Sequence, residues 1–315
     1  MLSRTAENLF WISRYVERAD NVARLIEVAS RLANLPSAYA GSTNEWTSAL
    51  IAAGCQPGFE KEGREPTEAN VVDYLAFSPN NPSSIHSCFE AARTTARAVR
   101  TALTIELWEA INGAWLELQA FETNRAASGP EHLARFLAWT KEIALKIDGT
   151  AYRTLLRDDG YSFTRLGVYV ERADNTARIL DVKYHVLLPQ AEKVGGGLDY
   201  FQWAAILRSV SAQTSFHHVY KQSVKPWLVA DFLVLNPRMP RSLVTCYSNV
   251  VRFLDSLADL YDRSGPAQEA AHALYDRLLQ ADMHTVFNSG LHEFVTDFVD
   301  ANIEVSGAIA KQYLR

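Results

Sequence analysis

Five residues of one stretch, Glu17, Arg18, Asp20, Asn21 and Arg24, bring two acids, two bases and an amide together. The same five types recur as Glu171, Arg172, Asp174, Asn175 and Arg178. Three kinds of chemistry suit such a set. A carboxylate held by an adjacent arginine can serve as a general base in amide-bond transfer or hydrolysis. A mixed-charge face can hold a charged or zwitterionic ligand, or dock a partner. Acids and bases can also satisfy one another, Arg24 reaching back to Glu17 or Asp20 while the Glu-Arg pairs of one set meet those of the other. A buried network of that kind contributes specificity more than bulk stability. The residue types leave all three open.

Both sets must be positioned by helices. Tyr15 to Arg24 reads Y-V-E-R-A-D-N-V-A-R and Tyr169 to Arg178 reads Y-V-E-R-A-D-N-T-A-R, nine of ten letters alike at a shift of 154 residues. At helical spacing Val16, Ala19, Ala23 and Ile26 form one apolar stripe, and Val170, Ala173, Ala177 and Leu180 form its match. That side is expected to pack inward, the alanines allowing a neighbouring helix close. A merely solvated polar face would drift between copies, as Arg14/Val168 and Val22/Thr176 have done. Its agreement predicts specific contacts in both places.

Other landmarks repeat in the same order. Asp73 to Cys88 reads D-Y-L-A-F-S-P-N-N-P-S-S-I-H-S-C, and Asp231 to Cys246 reads D-F-L-V-L-N-P-R-M-P-R-S-L-V-T-C. The prolines break the helix before each corner, and Ser84 and Ser242 are placed to cap the helix that follows. After Ser84 the helix is expected to run to about Asn112, with a bend at Asn112-Gly113. Breaks are expected from Asn34 to Gly41, from Thr123 to Pro130 and at Gly195-Gly196-Gly197. No alternating strand pattern stands between turn signals. The expectation is an all-α, tandem-duplicated helical bundle of about twelve helices with pseudo-two-fold halves. Residues 1–158 and 159–315 would be the two repeats, packed as one globular unit.

Composition narrows the function classes. A formal net charge of -5 gives no bulk attraction for nucleic acid or anionic lipid. Cys55, Cys88 and Cys246 form no C-x-x-C pair and no even disulfide framework, and Cys88 and Cys246 read as small buried residues. No run of 18 apolar residues occurs and the N-terminus lacks a signal-peptide pattern, so a cytoplasmic protein without a membrane span is expected. Glu269-Ala-Ala-His272 is the single Glu-x-x-His, too little for a di-metal carboxylate site, and His217-His218 points two imidazoles apart. No glycine-rich phosphate loop follows a strand, and no cofactor is expected. Arg93, Arg97 and Arg100 would share one helix face, read as solvated and balanced by Glu90 and Glu106.

At the repeated motif the chain resembles the alpha-E domain family, all-helical bacterial proteins named for a Glu-Arg motif. The resemblance rests on L-S-R-T-A-E-N-L-F-W-I-S-R-Y-V-E-R-A-D-N (Leu2 to Asn21), on Tyr169 to Arg178, and on the P-x-x-P-x-S corners at Pro79 to Ser84 and Pro237 to Ser242. It places the signature pair at Glu17-Arg18 and Glu171-Arg172. Ser13 stands where such proteins usually have Gly before Arg-Tyr. The resemblance also implies partners, a circularly permuted ATP-grasp protein and often a transglutaminase-like one. It implies a role in making or modifying a peptide or amide bond, and no settled activity of its own. The expected function is accordingly an accessory or substrate-presenting protein for an ATP-grasp-type ligase. The alternatives are an enzyme using the motif carboxylates and a purely structural clamp.

Overall fold

The computed structural model describes residues 1–34, 45–123, 130–185 and 197–314. Among these the chain forms fifteen α-helices and no strand. The expected breaks after Asn34 and Thr123 and the turn at Gly195-Gly196 fall outside the described residues.

Two long helices organise the rest. Helix α1 (Ser3–Ala33) is buried on nearly every side, and at 1.5 Å per residue it is about 46 Å long. Helix α8 (Asp159–His185) packs along it. Around α1 lie α2 (Glu45–Ala52), α5 (Ile85–Ala98) and α7 (Pro130–Thr154), while α8 is covered by α12 (Leu243–Tyr261) and α15 (Leu291–Tyr313).

The apolar stripes pack as their spacing predicts. Val16, Ala19, Ala23 and Ile26 enter one hydrophobic cluster with residues of α2, α5 and α7. Val170, Ala173, Ala177 and Leu180 enter a second, which also takes Leu9, Phe10, Leu25 and Val28 from other faces of α1. Helix α1 therefore belongs to both cores, which is why it lacks a clean polar side.

Small residues line both long helices, and at Gly167 one of them lets α8 reach α1. Ala19, Ala23, Ala173 and Ala177 are fully buried. At Gly167 a Cβ atom would stand 2.2 Å from the Phe10 carbonyl oxygen, so only glycine lets α8 approach the α1 backbone here.

The corners behave as their letters suggest. Ser84 accepts from the Ser87 amide at 3.0 Å and Ser242 from the Thr245 amide at 3.2 Å, each capping its helix. Three expectations need correction. Helix α5 stops at Ala98, and α6 (Ile105–Thr123) runs unbroken through Asn112-Gly113. Thr104 caps α6 by accepting from the Leu107 amide at 3.2 Å, and Gly113 faces open space, where its missing side chain does no harm. The arginine stripe is thereby split, with Arg100 beyond the end of α5 and stacked over Trp108, while Arg93 donates to Asn112. The fifteen helices include two short ones, α3 (Gln56–Glu60) and α14 (Met283–Ser289).

Gly167→Ala should lower the melting temperature, at a cost of about 1–3 kcal/mol typical of overpacking. Thermal unfolding of the two proteins checks this, and an unchanged midpoint would mean that α8 does not need the close approach.

Candidate functional site

Where α1 crosses α8, the two Glu-Arg pairs exchange partners. Arg172 donates to Glu17 through Nε at 2.8 Å and Nη2 at 2.9 Å. Arg18 donates to Glu171 through Nε at 2.6 Å and Nη2 at 3.1 Å. Each is a two-point guanidinium–carboxylate contact, the strongest form of such a pair. Asn175 reinforces the crossing by donating to the Glu17 carbonyl at 3.3 Å. Within each helix the remaining acid and base pair one turn apart, Arg24 with Asp20 at 2.8 Å and Arg178 with Asp174 at 2.6 Å.

Beyond this shared frame the two faces differ. Around Glu17 a third arginine, Arg241, donates to Glu17 Oε1 at 3.1 Å and to Asp20 Oδ2 at 2.7 Å. Arg24 is also held by the Ser209 carbonyl at 2.5 Å and the Ser211 hydroxyl at 3.3 Å. That face is sealed at Asp20 and Arg24. Around Glu171, Arg14 arrives from the far side through Nε at 2.7 Å and is fixed by Ser306 and by Trp11, over whose ring it lies at 4.8 Å. Among the described residues Asp174 receives no second arginine. The place that Arg241 takes in its corner belongs to Ser83 in the other, and the place of Ser211 belongs to Gly54.

Ser211 and Gly54 both have left-handed backbones, with φ of 57° and 66°, but Gly54 brings no hydroxyl. Gly54 lies against Arg178 Nη1, which is 3.4 Å from where a Cβ would be, and offers it no side-chain acceptor. A cleft of about 240 Å³ results, walled by Arg18, Asn21, Ser83, Glu171, Asp174 and Arg178, with Val22, Ala53 and Asn175 beside them. The Arg178 side chain is 27% exposed against 5% for Arg24, and Asp174 14% against 3% for Asp20. Of the ten motif residues singled out from the sequence, six reach the cleft. The other four, Glu17, Asp20, Arg24 and Arg172, form the opposite face, closed at Asp20 and Arg24, while Glu17 borders a narrow apolar cavity with Ile12, Val16 and Leu107.

The electrostatics follow from burial and pairing. Burial alone would raise the carboxyl of Glu17, but Arg172 and Arg241 overcome it and hold the group down at about 2, from an ordinary 4.5. Burial likewise opposes Arg14 and Arg18 at Glu171, and again the arginines win and hold its carboxyl below the usual range. Burial, followed by repulsion from Arg24, pushes the Arg241 guanidinium below its ordinary value. Beneath the two crossings Cys88 and Cys246 are fully buried, and desolvation pushes both thiols up to about 12. They pack as small apolar groups.

Sequence reasoning misses Arg14, Ser83, Arg241 and Gly54. Arg14 reads as drift because its partner position is Val168. Ser83 and Arg241 stand opposite one another in the repeated corner, and that mismatch is the available signal. His272 pairs with Asp255 at 2.9 Å, and no group of three His, Cys, Asp or Glu among the described residues is gathered to hold a metal ion. No helix among them is long and apolar enough to cross a membrane.

Removing one member of a buried pair strands its partner's charge. Glu17→Ala, which abandons Arg172 and Arg241, should lower unfolding free energy by about 3–5 kcal/mol in denaturant titrations. A loss below about 1 kcal/mol, the range of exposed pairs, would contradict the assignment. Because the folded carboxyl of Glu17 is depressed, its stabilising contribution is complete above 4.5 and disappears as pH falls toward 2. Denaturant midpoints measured from pH 6 to pH 2.5 should fall less steeply for Glu17→Gln than for the unaltered chain. Parallel curves would refute that role.

Comparison with known proteins adds a family. The family model described as a predicted alpha-helical domain with a conserved ER motif, Alpha-E, matches residues 1–314. Uncharacterized proteins of Mycobacterium bovis and Mycobacterium tuberculosis are each 24% identical over 284 residues, 84% of this chain. The matched region spans 30% of the length of those relatives. No solved structure matches. The full-length match, together with Glu17-Arg18 and Glu171-Arg172 crossing between α1 and α8, makes this chain a member of the Alpha-E family.

Proposed function

We propose that this chain is an accessory, ligand-presenting helical protein that works with an ATP-grasp-type peptide or amide ligase. The observation that carries the reading is the cleft beside the Glu171–Arg18 crossing, where acids, bases and an amide meet at a solvent-reached wall. A clamp alone needs no polar opening, and the face where Arg241 closes over Glu17 and Asp20 is what a clamp alone would look like.

The reactive groups argue for binding over catalysis. A general base works best with a pKa near the working pH, whereas Glu17 and Glu171 are held low and occupied by arginines on both oxygens. The thiols of Cys88 and Cys246 are raised and buried, which suits neither nucleophile nor redox centre. The partner is proposed from the family resemblance, with a transglutaminase-like protein as a further candidate. Residues 1–158 and 159–315 are proposed to descend from one helical unit, one copy of the charged crossing kept closed and the other left open.

The test uses the intact chain and a purified ATP-grasp protein from the same genome. They should co-elute in size-exclusion chromatography, and the ligase should turn over faster with the chain present than without it. Separate elution together with unchanged turnover would refute the accessory role.

A further inference from the structure

The sealed face shows what the open cleft lacks. Arg241 bridges two particular atoms, Glu17 Oε1, which also receives Arg172 Nε, and Asp20 Oδ2, which also receives Arg24 Nε. At the cleft the matching atoms are Glu171 Oε1, which receives Arg18 Nε, and Asp174 Oδ2, which receives Arg178 Nε. Neither has a partner in the place of Arg241, because the corner there carries Ser83. Two carboxylate oxygens are thus arranged around a position that on the sealed face holds a nitrogen cation.

A bare cation would be poorly served there. Arg14, Arg18 and Arg178 already set three positive charges against Glu171 and Asp174, and Arg241 itself sits on the sealed face against burial and repulsion from Arg24. The occupant must bring its own negative charge. Arg178 can receive it, since among the described residues it is bonded to Asp174 alone, its side chain is 27% exposed and it lines the cleft. Asn21 is a further polar residue of the cleft wall. It is buried at the cleft wall, and its side-chain oxygen has no hydrogen-bond donor among the described residues.

The spacing selects the ligand. Asp174 and Arg178 are in direct contact at 2.6 Å, so the two ligand charges that answer them must lie close together, as the ammonium and carboxylate joined through the single α-carbon of an amino acid do. We propose that the cleft binds the zwitterionic head of an α-amino acid, its ammonium between Glu171 and Asp174 and its carboxylate on Arg178. This rests on the reading of the cleft as a ligand site and names the ligand class.

Isothermal titration of the intact chain with L-alanine, L-glutamine and L-arginine tests it, with N-acetyl-L-alanine and ethylamine as probes lacking one charge each. At least one amino acid should bind with Kd below about 10 mM, and both single-charge probes should bind at least about tenfold more weakly. Ser83→Arg, which supplies the cation from the corner itself, should reduce binding at least about tenfold while Ser83→Ala keeps it. Asp174→Asn, which keeps the shape and removes one acid, should also weaken it, and serves if Ser83→Arg does not fold. Binding of none of the three amino acids, equal binding of N-acetyl-L-alanine, or binding that survives both substitutions would overturn the proposal. If amino acids fail while the ligase still co-elutes, the ligand is wrong and the accessory role stands. If amino acids bind but no ligase complex forms, the ligand class stands and the accessory role falls.

Discussion

Two buried carboxylates, each gripped at both oxygens by an arginine from the opposite helix, fix how α1 lies on α8. Desolvating four charged groups is expensive, and apolar residues of the same size could give equal or greater stability. What apolar packing could not give is a unique register. The crossing is satisfied only when Glu17 faces Arg172 and Glu171 faces Arg18, so a slide of one turn would leave charges stranded in a water-poor setting. The flanking cores depend on that register. Helix α1 contributes to both hydrophobic clusters, and Gly167 admits the Phe10 backbone only at one relative position.

A repeated charged frame also lets a small sequence difference have a large consequence. Arg241 and Ser211 add contacts to the frame on one face, and their absence at Ser83 and Gly54 leaves a cleft at the other without disturbing the Glu171–Arg18 pair. The framework of acids and bases is already oriented by the crossing, so an incoming polar group would meet preorganised partners rather than having to arrange them. The closed crossing and the open cleft are then two forms of the same arrangement.

Much of this is legible in the letters. The apolar stripes around Ala19 and Ala173 specify helices buried on that side, and the Pro-x-x-Pro corners with Ser84 and Ser242 specify caps. The agreement of Glu17 with Glu171 and of Asp20 with Asp174 marks the face under constraint. The less legible parts depend on tertiary partners. Which acid takes which arginine cannot be read from one helix, because Glu17 is served by residues 155 and 224 positions away. Gly113 reads as a bend because glycine weakens helices, yet at a solvent-facing position with Thr104 capping the helix ahead it is tolerated. Arg14 reads as drift because the function it performs for Glu171 is supplied to Glu17 by a different part of the chain, Arg241.

The central claim is that the crossing pairs are energetically joined across α1 and α8. A double-mutant cycle in chemical denaturation tests it most directly, using Glu17→Ala, Arg172→Ala and the combined variant. The crossing predicts a coupling energy of about 2 kcal/mol or more, the double variant losing much less than the two single losses together. Losses that add to within about 0.5 kcal/mol would contradict it, since residues that do not depend on one another behave in that way.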